Sequence, residues 1–145
     1  MNCYIDSSAL LRALFHGTED LKGLEDYAKA GSSELILIEC SRVLERYRLE
    51  NLVSDDQLAE AREALRIVTD GLFLIELSAG VKRRAAESFP TVIGALDAIH
   101  LASALLWRQG EPEEILVLFS YDRQMLTCAR ALGLPLYPRR DSGGV

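Results

Sequence analysis

Four acidic residues stand where a folded chain could bring them together: Asp6, Glu39, Asp97 and Asp122. Asp6 ends a short β-rich run, Cys3-Tyr4-Ile5. Glu39 ends a second apolar run, Leu35-Ile36-Leu37-Ile38. Asp122 comes after a third, Leu116-Val117-Leu118-Phe119, with two residues between. In a parallel sheet the carboxyl ends of the strands share one edge, and ligands bind there where the strand order reverses. The spacing therefore sends three acids to one crevice. Asp97 reaches it by another route. It lies in Gly94-Ala95-Leu96-Asp97-Ala98-Ile99-His100-Leu101-Ala102-Ser103, a helical pattern that is apolar on nearly every side. Its polar residues Asp97, His100 and Ser103 are three apart and share one face. An ionised carboxylate on a buried helix is costly unless it is paired or binds a metal.

Four carboxylates in one crevice repel each other and raise their own pKa values. A divalent cation relieves that repulsion, and an all-oxygen site suits Mg²⁺ or Mn²⁺. One or two such ions can activate water and stabilise the leaving oxygen in phosphodiester hydrolysis. Taken singly, Asp6 and Asp122 also suit helix N-caps, and Glu39 the first turn of a helix. The chemical signal is the set of four. Ser7 and Ser8, beside Asp6, are candidate donors to a carboxylate, with Ser7 preferred. His100 could bond Asp97 or a metal-bound water, but a packing histidine is the simpler expectation. His16 suits a helix end. Arg12, Arg42, Lys82-Arg83-Arg84 and Arg123 are candidate nucleic-acid contacts, Arg123 foremost because it adjoins Asp122. Solvated helix surface is the usual fate of such residues.

Composition bounds the remaining options. The chain has 145 residues, 49% hydrophobic and 26% charged, with a net charge of −6. That is the size of one domain with a real core. A protein that grips nucleic acid by charge alone would be basic, so metal ions or a local basic rim must offset the acidity. No run approaches the roughly 18 apolar residues of a membrane span, and the start lacks the pattern of a signal peptide. Three scattered cysteines, Cys3, Cys40 and Cys128, form no C-x-x-C pair and argue against a disulfide framework or a zinc ribbon. A cytoplasmic setting is expected.

The elements that must position the acids alternate between β and α. The pattern predicts strands over 2–5, 35–38, 72–75 and 116–119, with an edge strand over 134–137. It predicts helices over 7–16, 40–49, 95–107 and 123–132. A further helix is capped by Thr18 and ended by Gly31. A long helix opens at the Ser54-Asp55-Asp56-Gln57 capping box, and another starts at Ser78 and stops before Pro90. Alternation of this kind implies an α/β domain: one parallel sheet between helices. The domain is expected over 1–138, succeeded by a polar tail, 139–145.

The segments Tyr4-Ile5-Asp6-Ser7-Ser8, Leu37-Ile38-Glu39, Leu96-Asp97-Ala98-Ile99-His100 and Ser120-Tyr121-Asp122-Arg123 resemble the PIN-domain nucleases. The likeness is closest to VapC-type toxins of toxin–antitoxin pairs and runs from Cys3 to about Pro138. The resemblance implies a three-layer α/β/α sandwich with a five-stranded parallel sheet in order 3-2-1-4-5. It implies an Mg²⁺- or Mn²⁺-dependent endoribonuclease whose catalytic and metal-binding acids map onto Asp6, Glu39, Asp97 and Asp122. Ser120 maps onto the family's Ser/Thr that holds a carboxylate or a metal-bound water. It also implies an RNA substrate, a homodimer and a small antitoxin partner, with no membrane. The rival reading is a non-catalytic RNA- or protein-binding module on the same fold. A haloacid-dehalogenase-like enzyme would need an acid where Ser8 stands. A receiver domain would need paired acids near the first strand and a Lys after the last. No P-loop or dinucleotide fingerprint is present.

Overall fold

The computed structural model describes residues 1–137. The expected domain end at residue 138 and the expected tail, 139–145, lie outside them. Four strands, β1 (Asn2–Ile5), β2 (Lys29–Ser33), β3 (Phe73–Ile75) and β4 (Leu116–Phe119), form one parallel sheet in the order β3-β2-β1-β4. Six helices pack around it: α1 (Ser7–His16), α2 (Leu35–Leu49), α3 (Asp55–Asp70), α4 (Ala79–Ala86), α5 (Ala95–Gly110) and α6 (Arg123–Ala131).

Side chains of a strand alternate between faces, and those of β1 divide between two cores. Cys3 and Ile5 enter one core with Leu10, Ile36, Leu44, Ala61 and Leu65, contributed by α1, α2 and α3. Tyr4 enters the other, with Leu101, Ala104 and Met125 from α5 and α6. The central strand is therefore buried on both faces, and its short apolar sequence reflects that. Both pairings of β1 are parallel. Ile5 stands opposite Phe119, and Tyr4 stands opposite both Gly31 and Leu118. This register brings Asp6, the end of β2 and Ser120 to one edge of the sheet.

Several expected elements form as the pattern predicts. The capping box opens α3, with Gln57 N–H donating to Ser54 Oγ (3.1 Å) and Ser54 N–H to Gln57 Oε1 (2.9 Å). Three expected elements are corrected. Residues 35–38 are not a strand but the first turn of α2, and Glu39 lies within that helix rather than at a strand end. The buried positions are Ile36, Cys40 and Leu44, while Leu37 and Ile38 are exposed. That four-residue spacing is helical, and a short apolar run does not by itself distinguish helix from strand. The second strand is instead Lys29–Ser33. The helix expected from Thr18 to Gly31 is a 3₁₀ segment over Thr18–Asp26 that gives way to this strand. The edge strand expected over 134–137 is reduced to one parallel bridge, Leu118 to Leu136. The sheet thus has four strands rather than five, and its order matches the first four expected places.

Candidate functional site

Asp6 is the hub of the sheet edge. It is 2% exposed and is the N-cap of α1, its Oδ1 accepting from Ala9 N–H at 3.0 Å. Ser8 Oγ donates to the same oxygen at 2.7 Å, and Ser120 Oγ donates to Oδ2 at 2.5 Å. Ser120 also accepts from Asp122 N–H at 3.0 Å, and Ser8 from Tyr121 N–H at 2.9 Å. The turn after β4 is thereby stitched to the turn after β1. Burial pushes the Asp6 carboxyl above its ordinary range, although the Ser120, Ser8 and Ala9 donors pull it back.

Asp122 is the N-cap of α6, with Oδ1 accepting from Met125 N–H at 2.9 Å. Asp97 sits in the first turn of α5. Its carboxyl is pushed up to about 6, first by burial, then by the nearby charges of Asp122 and Asp6. His100 lowers it in part, and Glu39 raises it further. The four acids therefore share one field, as repelling carboxylates must. Glu39 reaches them from α2. Its Oε2 accepts from Ser7 Oγ at 3.1 Å, and its Oε1 bonds His100 Nε2 at 2.5 Å. No Lys or Arg among the described residues forms an ion pair with any of the four.

That donor set fits a hard divalent cation: carboxylate oxygens in excess, mutual repulsion felt at Asp97, and no Lys or Arg paired with it among the described residues. The site is not ready-made. Among the described residues, no three His, Cys, Asp or Glu side chains stand where they could hold an ion together. Asp6 and Asp122 are already used as caps, so an ion would have to share them with those bonds.

Two residues named in the sequence take partners other than those expected, while Ser7 donates to the Glu39 carboxylate. Ser8, rather than Ser7, bonds Asp6. His100 bonds Glu39, not Asp97. His100 is 1% exposed, and its Nδ1 meets the Tyr4 hydroxyl at 2.7 Å across 96 positions of sequence. Of the candidate RNA contacts, Arg12 lies 4.3 Å over the ring of Tyr121, the neighbour of Asp122. Asp20 accepts from the Tyr121 hydroxyl at 2.9 Å and stands 3.9 Å from Arg12 Nε. Arg123 is exposed at the start of α6, and Arg42 is exposed on α2. Arg84, on α4, packs over Phe89 at 4.3 Å. All three cysteines are buried and free. Burial pushes the Cys3 and Cys40 thiols up to about 12, so they act as small core residues.

Two solved structures share this architecture. VapBC2 from Rickettsia felis, solved bound to a DNA fragment from its promoter, matches with a TM-score of 0.67 and 16% identity, over 94% of this chain and 98% of that one. PAE2754 from Pyrobaculum aerophilum matches with a TM-score of 0.62 and 22% identity, over 94% and 83%. Those likenesses establish the fold. No curated protein matches the chain. The sequence itself matches the PIN domain over residues 3–135, nearly its whole described length, and the chain belongs to the PIN domain family.

Proposed function

We propose that the chain is a divalent-metal-dependent endoribonuclease and the toxin of a toxin–antitoxin pair. The observation that carries this reading is the gathering of Asp6, Glu39, Asp97 and Asp122 from four separate elements, with the Asp97 carboxyl raised by burial and then by the charges of the other three. Family membership and the likeness to VapBC2 support it. Asp6, Asp97 and Asp122 would hold Mg²⁺ or Mn²⁺, with Glu39 beside them. A bound ion would neutralise the cluster and polarise a water for in-line attack on a phosphodiester. Ser8 and Ser120 keep Asp6 oriented, and Ser7 does the same for Glu39. The carboxylates of the cluster could also take a proton from the attacking water. Arg12 and Arg123 lie where a substrate phosphate could meet a positive charge.

The test is cleavage of single-stranded or loop RNA with and without metal. Cutting is expected only with Mg²⁺ or Mn²⁺, leaving a 5′-phosphate and a 3′-hydroxyl. Cutting undiminished in EDTA, or 2′,3′-cyclic phosphate ends, would refute the mechanism. Absence of any cleavage at saturating metal would favour the non-catalytic binding module.

The same charges describe the partner. A crevice of acids in a chain of net charge −6 repels free RNA, but it suits a basic peptide. Arginine presents a planar fork that pairs with carboxylates. An antitoxin tail carrying Arg, disordered until bound, would occupy the crevice and block it, in an assembly that also pairs two copies of this chain. Replacing the tail's Arg residues with Ala in the purified complex is expected to restore cleavage. Persistent inhibition, with hydrogen-exchange protection remote from Asp6, Asp97 and Asp122, would place the block elsewhere.

A further inference from the structure

Glu39 differs from the other acids in how it is held. Asp6 and Asp122 are fixed by their own capping bonds, and Asp97 has a short side chain on a helix start. Glu39 extends from the first turns of α2 on a side chain with three free torsions. What fixes it comes from two other helices: Ser7 of α1 on one oxygen and His100 of α5 on the other. His100 is itself fixed from behind. Ser33 N–H, at the end of β2, donates to the Tyr4 oxygen at 3.0 Å. Burial keeps the phenol protonated, and of the acceptors beside the Tyr4 O–H, which include the Ser32 and Ser103 hydroxyls, His100 Nδ1 at 2.7 Å is the one whose ring carries Glu39 on its other nitrogen. Nδ1 then accepts, so the ring proton belongs on Nε2 and faces Glu39.

We infer that His100 is a positioning residue for Glu39: the buried series from Ser33 N–H through the Tyr4 hydroxyl to the imidazole fixes the tautomer that holds this carboxylate at the acidic crevice. The inference rests on the proposed nuclease reading for its consequence, not for its geometry. The arrangement joins the middle strand, its neighbour β2 and helix α5 to a side chain on α2. The outer partner of a metal-binding carboxylate thus comes from the core of the sheet. Orientation of this sort matters because a carboxylate that wanders loses affinity for its ion.

The two nitrogens of the ring can be tested apart. His100→Gln places an N–H near the Nε2 position and keeps the bond to Glu39. His100→Asn places its amide near Nδ1 and keeps only the bond to Tyr4. His100→Ala removes both. The full chain is assayed for Mn²⁺ affinity by water-proton relaxation, for kcat and KM on RNA, and for Tm. Nitrogen-15 NMR of labelled histidine reads the tautomer. The expected tautomer is Nε2–H. His100→Gln is expected to stay close to the wild type in Mn²⁺ affinity and kcat. His100→Asn should lose about 10- to 100-fold, the scale for a lost outer partner of a metal ligand, with KM little changed. A packing role alone would make Mn²⁺ affinity follow Tm across the three variants, with no separate loss in His100→Asn, and that result would overturn the inference. So would an Nδ1–H tautomer in the wild type. A wild type that binds Mn²⁺ but cuts no RNA would refute the nuclease reading and leave the Gln–Asn difference in affinity to decide this one.

Discussion

Asp97→Asn is expected to abolish RNA cleavage while making the metal-free protein more resistant to heat at pH 8. The two effects pull in opposite directions because the residue is placed for chemistry against the interest of the fold. In the folded chain its carboxyl is pushed from an ordinary 3.8 to about 6 by burial and by the charges of Asp122 and Asp6. The folded state therefore binds the proton more tightly than the unfolded chain. Protonation favours folding below pH ~4, and that advantage is lost as the pH rises through about 6. Above that point the ionised carboxylate is a standing penalty. A two-unit shift corresponds to about 3 kcal/mol at most, and solvent screening at a half-buried group reduces it to roughly 1–2 kcal/mol. Asparagine has nearly the same shape and no charge. Melts in EDTA should show Asp97→Asn above the wild type by about 2–8 °C at pH 8 and level with it at pH 4. On the proposed nuclease reading a direct ligand goes, so the loss of cleavage should exceed the roughly 100-fold of a lost outer partner. Lower stability at pH 8 with cleavage intact would instead make Asp97 a structural residue.

That conflict explains why Asp97 was legible in the sequence. A lone acid on a helix apolar all round violates the burial pattern of its neighbours, and such violations mark function. Asp6 and Asp122 were legible for a different reason: each comes after a short apolar run that forms a strand of the buried sheet. Glu39 was assigned to the crevice through the end of a strand that does not exist. It arrives there from the first turns of α2, held by Ser7 and His100. The Tyr4–His100 contact was not legible at all. It depends on the register of β1 and on which face of α5 turns inward, and residues 96 apart in sequence determine neither. The strand Lys29–Ser33 escaped because Lys-Ala-Gly-Ser-Ser has no β-branched or aromatic residue. Its strand conformation is imposed by β1 and β3 on either side.

Gly31→Ala is expected to be among the most destabilising single-methyl changes in the chain, and it tests that imposed strand. In sequence Gly31 looked like the stop of a helix. It is instead the middle of β2, facing Tyr4 across one pairing and Phe73 across the other. A Cβ there would stand 2.6 Å from the Phe73 carbonyl oxygen and 2.9 Å from the Trp107 ring. The first contact is with backbone of the neighbouring strand, and the second with a side chain 7% exposed in the core. Neither can step aside without moving β3 or α5. Overpacking of a core usually costs about 1–3 kcal/mol, and the backbone clash puts this site at the upper end or beyond. The expected result is a fall in Tm of about 5–12 °C with an unchanged denaturant m-value. Gly80→Ala is the matched control. It lies in α4, where the new Cβ meets nothing closer than 3.7 Å, and the better helix former should raise stability by up to about 1 kcal/mol. The same displacement should reach the crevice, because two residues along β2 the Ser33 amide anchors the Tyr4 hydroxyl. Gly31→Ala protein that remains folded should therefore show altered His100 ring-nitrogen shifts, whereas Gly80→Ala should leave them as they are. A Gly31→Ala protein as stable as the wild type would mean that β2 does not lie between β1 and β3 at the distance described.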